Sequence, residues 1–258
     1  MTKTILITGA TDGIGLLTAQ KLAAAGHHVL LHGRSAAKME AAKAQVGHGA
    51  EGFLADLSKP AQVEALAQAV LAQHGRIDVL INNAGILKAP QVQTEAGRDI
   101  RFEVNTIAPY VLTTRLLGAL PPEGRVVNLS SAAQAPVDVA AMAGFRPMGD
   151  MEAYAQSKLG ITIWTAEMAK DLPEGPVIVA VNPGSLLASK MVKEGFGVAG
   201  NDLNIGADIL IRAALSPDFA GASGKYWDND AGRFAAPDAG ARDGARVMAA
   251  LREIAGMG

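Results

Sequence analysis

The sequence predicts an α/β fold built on a doubly wound parallel sheet, and three observations carry that prediction. Short apolar runs alternate with longer helical segments from the first residues onward. Such alternation gives parallel strands joined by right-handed crossover helices. The runs are nearly continuous in Val, Ile and Leu, as strands covered on both faces require. Finally, a glycine turn, Thr8-Gly9-Ala10-Thr11-Asp12-Gly13-Ile14-Gly15, joins the first run to the first helix.

Thr4–Thr8 reads as the first strand, ending at Gly9, and Gly15–Ala25 as a helix closed by Gly26. Val29–His32 is the second strand and Ala36–Gln45 the next helix. Gly52–Ala55 is the third strand. Ala61–Gln73 is a helix announced by Ser58 and Pro60 and stopped by Gly75. Arg76–Asn82 reads as the fourth strand, and Asp99–Leu120 as a long helix with Pro109 as its kink. Arg125–Ser130, the helix Glu152–Leu172 and the strand Pro176–Val181 complete the pattern. There is no linker, repeat or low-complexity stretch, so one domain over residues 1–258 is expected, carrying cofactor and substrate sites together. Ala132–Asp150 shows no clean period, and Gly184–Gly200, punctuated by Gly195 and Gly197, reads as a mobile loop. Both follow strand ends, and structureless loops of that length are uncommon unless they serve function.

Composition narrows the function. Nearly half of the 258 residues are apolar, which is enough for a packed core. The net charge of −2, with no Lys/Arg stripe, argues against nucleic acid or an anionic membrane as partner. The absence of cysteine excludes disulfides, zinc–thiolate centres and thiol nucleophiles. The opening residues lack the long apolar stretch of a secretory signal, and no run reaches the roughly 18 residues that span a bilayer. A soluble cytoplasmic protein is expected. His27, His28, His32, His48 and His74 are dispersed over early turns and helix ends, so solvated side chains and no metal site are expected. Asp228 and Asp230 read as a polar turn after the last strand rather than a cation site. Asn128-Leu129-Ser130 matches a glycosylation sequon but falls in a buried strand. Asp243–Ile254 reads as an amphipathic closing helix and a subunit contact.

Two patterns carry chemistry. Glycines in the Thr8–Gly15 turn let the backbone bend sharply and approach a ligand, and the N–H groups opening the next helix attract phosphate. Tyr154-Ala155-Gln156-Ser157-Lys158 sets a phenol and an ammonium on one helical face. A neighbouring cation favours the phenolate and pulls the hydroxyl down from about 10 toward neutrality, where it can trade protons.

Thr8-Gly9-x-x-x-Gly13-Ile14-Gly15, Asn82-Asn83-Ala84-Gly85, Asn105, Ser131, Tyr154-x-x-x-Lys158 and Asn182-Pro183-Gly184 stand in the order of the short-chain dehydrogenase/reductases. The chain resembles that family from about residue 4 to 230. Its wide Ser131-to-Tyr154 spacing, filled by Ala132–Asp150, is similar to the retinol-dehydrogenase-like branch. The resemblance implies a Rossmann-type fold and a catalytic set of Asn105, Ser131, Tyr154 and Lys158. Tyr154 acts as general acid or base and Lys158 also reaches the nicotinamide ribose. Ser131, rather than Ser130 beside it, holds the substrate oxygen, and Asn105 holds a water linking Lys158 to solvent. The same resemblance places a nicotinamide cofactor against Gly9, Thr11, Asp12, Gly13, Ile14, Gly15, Arg34, Asp56, Leu57, Asn83, Ala84, Gly85, Pro183 and Gly184. The family often carries Thr near Ala188; here only Ser185 and Ser189 offer hydroxyls.

NAD sites place a carboxylate at the end of the second strand, and NADP sites a cation for the 2′-phosphate. Here Gly33 stands at the acid's place with Arg34 beside it, so NADP(H) is expected rather than NAD, although Asp12 occupies a position where many NADP-dependent relatives carry Arg or Lys. Together these readings describe an NADP-dependent oxidoreductase interconverting an alcohol and a carbonyl. Its pocket is expected from Ala132–Asp150 and Gly184–Gly200. Met, Ala and Val there, with Phe145 and Phe196, fit a mainly apolar substrate, with Arg146 and Lys190 as anchors for an anionic group. The long helices Asp99–Leu120 and Glu152–Leu172 form subunit faces in many relatives, implying a homodimer or homotetramer. The alternatives are a nucleotide-sensing regulator without turnover, and an epimerase or hydratase on the same fold.

Overall fold

Among the described residues eight strands pair into one sheet: β1 (Thr4–Ile7), β2 (His28–Gly33), β3 (Glu51–Leu54), β4 (Val79–Asn82), β5 (Arg125–Leu129), β6 (Val177–Asn182), β7 (Tyr226–Asp228) and β8 (Arg233–Ala235). The computed structural model describes residues 1–236 and 243–257, except for the side chains of Lys190, Glu194 and Phe196. The strand order is β3-β2-β1-β4-β5-β6-β7-β8, parallel throughout except for the β7–β8 pair. The helices are α1 (Gly13–Ala24), α2 (Ala36–Val46), α3 (Pro60–Gln73), α4 (Ile100–Phe102), α5 (Ala108–Leu116), α6 (Val139–Ala143), α7 (Asp150–Lys170), α8 (Lys190–Phe196), α9 (Leu203–Leu215) and α10 (Gly244–Ile254). None of the described helices is long and apolar enough to cross a membrane.

Successive strand residues point to opposite faces, and here both faces are apolar. Leu6, Leu30, Leu80, Val126 and Ile178 pack with Leu66 of α3, Val111 of α5, Trp164 of α7 and Val247 of α10. Ile5, Ile7, Leu31, Val79, Ile81, Val127 and Val179 pack with Leu22 of α1, Met39 of α2 and Leu210 of α9. The strand order reverses between β1 and β4, which opens a crevice at their C-terminal ends. Asn82 and Asn128 face the first of these layers as a polar pair. Asn82 donates to Asn128 at 2.8 Å and to Thr113 at 3.0 Å, and Asn128 donates to Thr165 at 2.8 Å. Asn128, the sequon asparagine, is fully buried.

Several expected elements differ. The stretch Asp99–Leu120 is distorted upstream of Pro109, by a π-turn at Glu103–Ile107 between α4 and α5. Pro109 follows directly on this π-turn in a continuously helical backbone. It has no N–H for the ladder and its ring crowds the carbonyl four residues back, at Asn105, so the distortion lies one turn before the proline. Ala132–Asp150 contains α6, whose first amides are capped by Asp138 at 3.0 and 3.1 Å. Gly184–Gly200 contains α8, capped by Ser189, so it is not a plain loop. Helix α9 and strand β8 were not anticipated; Asp202 caps α9, and Ile209, Leu210 and Ala213 form its buried stripe. Tyr226 and Trp227 are the buried strand β7 rather than a polar turn, and Asp228 and Asp230 bind Asn182 at 2.9 Å each.

Helix α10 packs on its own chain along one face. Val247, Met248 and Leu251 are buried against α7 and α6. Arg115 of α5 donates to the Ala255 carbonyl at 3.1 Å, so α10 and its continuation lie over the same two long helices expected as subunit faces. The histidines are not uniformly solvated. His32 is buried, because it lies beneath the glycine turn. His28 and His74, far apart in sequence, meet at Glu51 because parallel strands and a crossover helix bring their ends together.

The start of α7 is tied down by a buried cation. Arg101, 1% exposed, pairs with Asp99 at 2.7 Å and with Asp150, the first residue of α7, at 2.6 Å. Asp99 is itself fully buried, so removing the guanidinium strands a charge where hydration is denied. Arg101→Leu is expected to lower unfolding free energy by about 3–5 kcal/mol, read from the denaturant midpoint, whereas a change below about 1 kcal/mol would contradict this account.

Candidate active site

A groove of about 400 Å³ runs along the C-terminal ends of β1, β2, β4 and β5. The turn after β1 forms its floor. Gly9 adopts φ +65°, and a Cβ there would lie 2.9 Å from the Ala84 backbone, so only glycine lets the turn press against the end of β4. Asn83 clamps that contact by donating to the Thr8 and Gly9 carbonyls at 2.8 and 3.1 Å, while Thr8 Oγ1 accepts from Ala84 N–H at 3.0 Å. Asp12 caps α1 by accepting from Gly13 N–H.

His32 was missed by the sequence reading and supports this turn from below. Its Nδ1 accepts from Gly9 N–H at 3.2 Å, and its Nε2 lies 3.0 Å from the Ala55 carbonyl, which assigns the proton to Nε2. Burial holds its pKa down to about 4, outweighing the Ala55 bond and the nearby Asp56 charge, which raise it.

At the far end of the groove, Gly33 ends β2, and a Cβ there would lie 2.5 Å from Thr11 Cγ2. A side chain at this position would have to displace that of Thr11. Arg34 is exposed beside it, and Lys38 reaches across from α2 to Asp12 at 2.9 Å. Asp12 is thus countered by a cation, and Lys38 is a second basic group at this end that the sequence reading missed. Asp56, Leu57 and Ser58 form the opposite wall.

The other end gathers the expected catalytic set. Tyr154 and Lys158 share the inward face of α7, with Nζ 5.7 Å from the centre of the phenol ring. Ser131 follows β5, and its side chain hydrogen-bonds Tyr154. Ser130 turns away, bonded to the Lys158 carbonyl at 3.0 Å and to Thr162 at 2.7 Å. The Ser131 carbonyl is held by Gln134 at 2.9 Å and by the hydroxyl of Tyr226 at 3.0 Å. Lys158, 3% exposed, donates to the Leu129 carbonyl at 2.7 Å, and desolvation lowers its pKa to about 7. Burial pushes the Tyr154 phenol above its ordinary value, against the opposing Ser131 bond. This differs from the expected depression, because here the ammonium sits over the ring and its own charge is weakened by burial.

Asn105 lies in the π-turn and is fully buried. Its Oδ1 accepts from Ile86 N–H at 2.8 Å, and its Nδ2 donates to the Ile86 carbonyl at 2.9 Å and to Ser157 at 2.9 Å. Ser157 in turn donates to the Tyr154 carbonyl at 2.7 Å. Both amide donors are thus committed to protein partners, and the side chain couples the segment after β4 to the helix carrying Tyr154.

The turn after β6 closes the site. Ser185 N–H and hydroxyl both bind Asp230, at 2.9 and 2.5 Å, and Pro183 lines the groove beside α8. The base of the segment bearing α8 is pinned where Ala188 N–H donates to the Asn201 carbonyl at 2.7 Å and Asn201 N–H to the Leu186 carbonyl at 2.6 Å. Ser189, Met191 and Gly195 line the groove, together with Ile86, Leu87, Ile100 and Val104. No residue of 132–150 does so. Ala141 and Met142 are fully buried in the core, and Arg146 pairs with Asp138 at 3.1 Å on the surface. Within this segment α6 forms part of the seat of α10, while Gln134 and Ala135 lie beside Ser131 and α7. The side chains of Lys190 and Phe196 lie outside the described residues.

Of the expected positions, the glycine turn, Arg34, Asp56, Leu57, Asn83 to Gly85, Tyr154, Lys158 and Pro183 line one groove. Asn105 and Ser131 stand behind Ile86 and Tyr154, and Gly184 turns away from the groove toward Ile205 and Leu187.

Comparison with known proteins follows the same lines. Residues 3–196 match the family model described as short chain dehydrogenase. Retinol dehydrogenase 13 from Homo sapiens is 30% identical over 275 residues, covering 95% of this chain and 82% of that protein. Retinol dehydrogenase 12 from Mus musculus is 32% identical over 246 residues, covering 88% and 78%. Among solved structures, an uncharacterised protein from Mycobacterium Paratuberculosis has a TM-score of 0.80 and 27% identity, over 98% of this chain and 93% of its own. A 3-ketoacyl-(acyl-carrier-protein) reductase from Brucella melitensis complexed with NADH has a TM-score of 0.70 and 27% identity, over 88% and 96%. A blue fluorescent protein from a metagenomic library, in complex with NADPH, has a TM-score of 0.71 and 26% identity, over 89% and 97%.

The His32 geometry generates a pH prediction. Unfolded, the ring titrates near 6.5, and folded near 4, so on acidification the unfolded chain takes up the proton first. Stability is therefore expected to fall as pH drops from 6.5 and to level off below 4, by about 3 kcal/mol in total from this group. Denaturant unfolding across that range should show a shallower slope for His32→Gln; an unchanged slope would remove His32 from the account.

Proposed function

The chain belongs to the short-chain dehydrogenase/reductase family, in its retinol-dehydrogenase-like branch, and we propose that it is an NADP(H)-dependent oxidoreductase interconverting an alcohol and a carbonyl. One observation carries the reading. The hydrogen-bonded hydroxyls of Ser131 and Tyr154 stand beside Lys158 at the end of a groove floored by a glycine turn.

The residues present fit a nicotinamide dinucleotide. The bare turn at Gly9 and the amide groups opening α1 suit a pyrophosphate. Arg34 and Lys38 suit a 2′-phosphate, and Gly33 offers no carboxylate to compete with it. Gly85 and Lys158 border the inner end, where a ribose hydroxyl can meet the ammonium. A bound nicotinamide supplies or accepts the hydride.

The chain's own groups handle the proton. In reduction, Tyr154 donates its phenolic proton to the carbonyl oxygen as charge develops there, and Ser131 donates a hydrogen bond to the same oxygen. Lys158 then stabilises the phenolate that remains, and the π-turn bonds of Asn105 hold α7 at the distance this requires. In oxidation Tyr154 takes the alcohol proton instead. Ile86, Leu87, Val104 and Met191 favour a mainly apolar substrate, and the segment bearing α8 shields it from water.

The test is anaerobic mixing of the protein with NADPH and a panel of aldehydes and ketones, following nicotinamide absorbance. Tyr154→Phe is expected to lower kcat by about 10²–10⁴-fold while NADPH affinity changes little. Wild-type turnover by that variant would refute the acid/base assignment, and NADPH binding without turnover by the parent protein would favour a sensor. Arg34→Ala is expected to weaken NADPH binding by about ten-fold or more and leave NADH unaffected, since a charged hydrogen bond contributes about 1.5–3 kcal/mol. Equal loss for both cofactors would argue against 2′-phosphate recognition.

A further inference from the structure

At the opposite end of the sheet from the groove, His28 opens β2, Glu51 opens β3 and His74 caps α3. Leu30 pairs with Glu51 across the two strands, and strand side chains alternate. His28 and Leu30 therefore share a face with Glu51 and Phe53, the face that α3 covers and at whose end His74 stands. Glu51 lies between the rings, with Oε1 2.8 Å from His28 Nε2 and Oε2 3.1 Å from His74 Nε2. One ligand atom from each of the three residues falls within 4.8 Å of the others. Phe53 packs its edge on His74, and the two imidazoles are 5.4 Å apart centre to centre.

We propose that His28, Glu51 and His74 form a binding site for a divalent transition-metal ion. Two imidazole nitrogens and one carboxylate oxygen suit zinc, cobalt, nickel or copper, and suit magnesium or calcium poorly. Donors around a tetrahedral zinc lie about 3.3 Å apart, given metal–ligand bonds of about 2.0–2.2 Å. The two short contacts reach different oxygens of the Glu51 carboxylate, so one oxygen shared by both histidines, or a bidentate carboxylate, completes the set after a small rotation. The remaining nitrogen-to-nitrogen distance closes by side-chain rotation, which is open to His28 and Glu51 on a partly exposed edge. His74 is the fixed member, its side chain 15% exposed and its backbone set by the end of α3. Three protein ligands leave a coordination position for water. The site joins two strand starts and a helix end, so the ion acts as a clamp on the fold, remote from hydride chemistry.

The experiment uses the full chain without an affinity tag, dialysed against micromolar Zn²⁺ or Co²⁺, with bound metal counted and the visible Co²⁺ spectrum recorded. One ion per chain is expected, with a tetrahedral or five-coordinate cobalt band and a raised Tm. His28→Gln and His74→Gln should each lower affinity by at least roughly ten-fold and abolish the Tm shift. NADPH binding by the same variants, expected to be unchanged, shows that they remain folded. If no metal is retained, the cluster is a hydrogen-bonded network and the proposal fails. It fails equally if metal stays on the His28→Gln/His74→Gln double variant, because the ion then belongs to other histidines.

Discussion

A parallel sheet cannot leave a face to water, because each crossover needs an apolar surface to lie on. The inner strands β1, β2, β4, β5 and β6 therefore carry apolar side chains on both sides, and the helices divide between two layers. The reversal of strand order between β1 and β4 follows from sending crossovers to both faces. That reversal separates the turn after β1 from the segment after β4 and leaves a groove between them. The position of the site is thus a consequence of how the sheet is covered. Its chemistry is added by a few side chains at strand ends.

Those side chains are positioned by buried polar groups that answer to one another. His32 holds the glycine turn by its acceptor nitrogen, which burial keeps free of a proton. Asn105 ties the Ile86 backbone to Ser157, and Ser157 binds the carbonyl of Tyr154. Tyr226 and Gln134 hold the Ser131 carbonyl from two sides. The Asn105–Ser157 bond is fully buried, so breaking it leaves an unsatisfied partner rather than a hydrated one. Cofactor end and proton-transfer end are therefore parts of one rigid framework.

Local features were legible in the sequence and distant pairings were not. The turn Thr8–Gly15 and the pair Tyr154–Lys158 depend on neighbours within a few residues, so spacing alone exposes them. His32 looks like any strand histidine until β1 and β3 are laid beside it. Lys38 acquires meaning only when α2 brings it to Asp12. The helix within 132–150 was hidden for the same reason. Its apolar residues answer to α10, about a hundred positions later, and nothing local distinguishes a seat for a helix from a wall for a ligand. Pro109 marked a distortion in its helix, but the π-turn one turn before it at Glu103–Ile107 has no compositional signature of its own.

Helix α10 also has a kinetic meaning. Its contacts reach across long stretches of chain; Arg115 and Ala255, for example, are 140 positions apart. The seat is made by α5, α6 and α7, so it is complete only once those helices have packed. Until then Val247, Met248 and Leu251 and the α6–α7 surface they cover are all open to other molecules. Before α10 docks the chain therefore carries two apolar surfaces at once, each open to cover by another molecule.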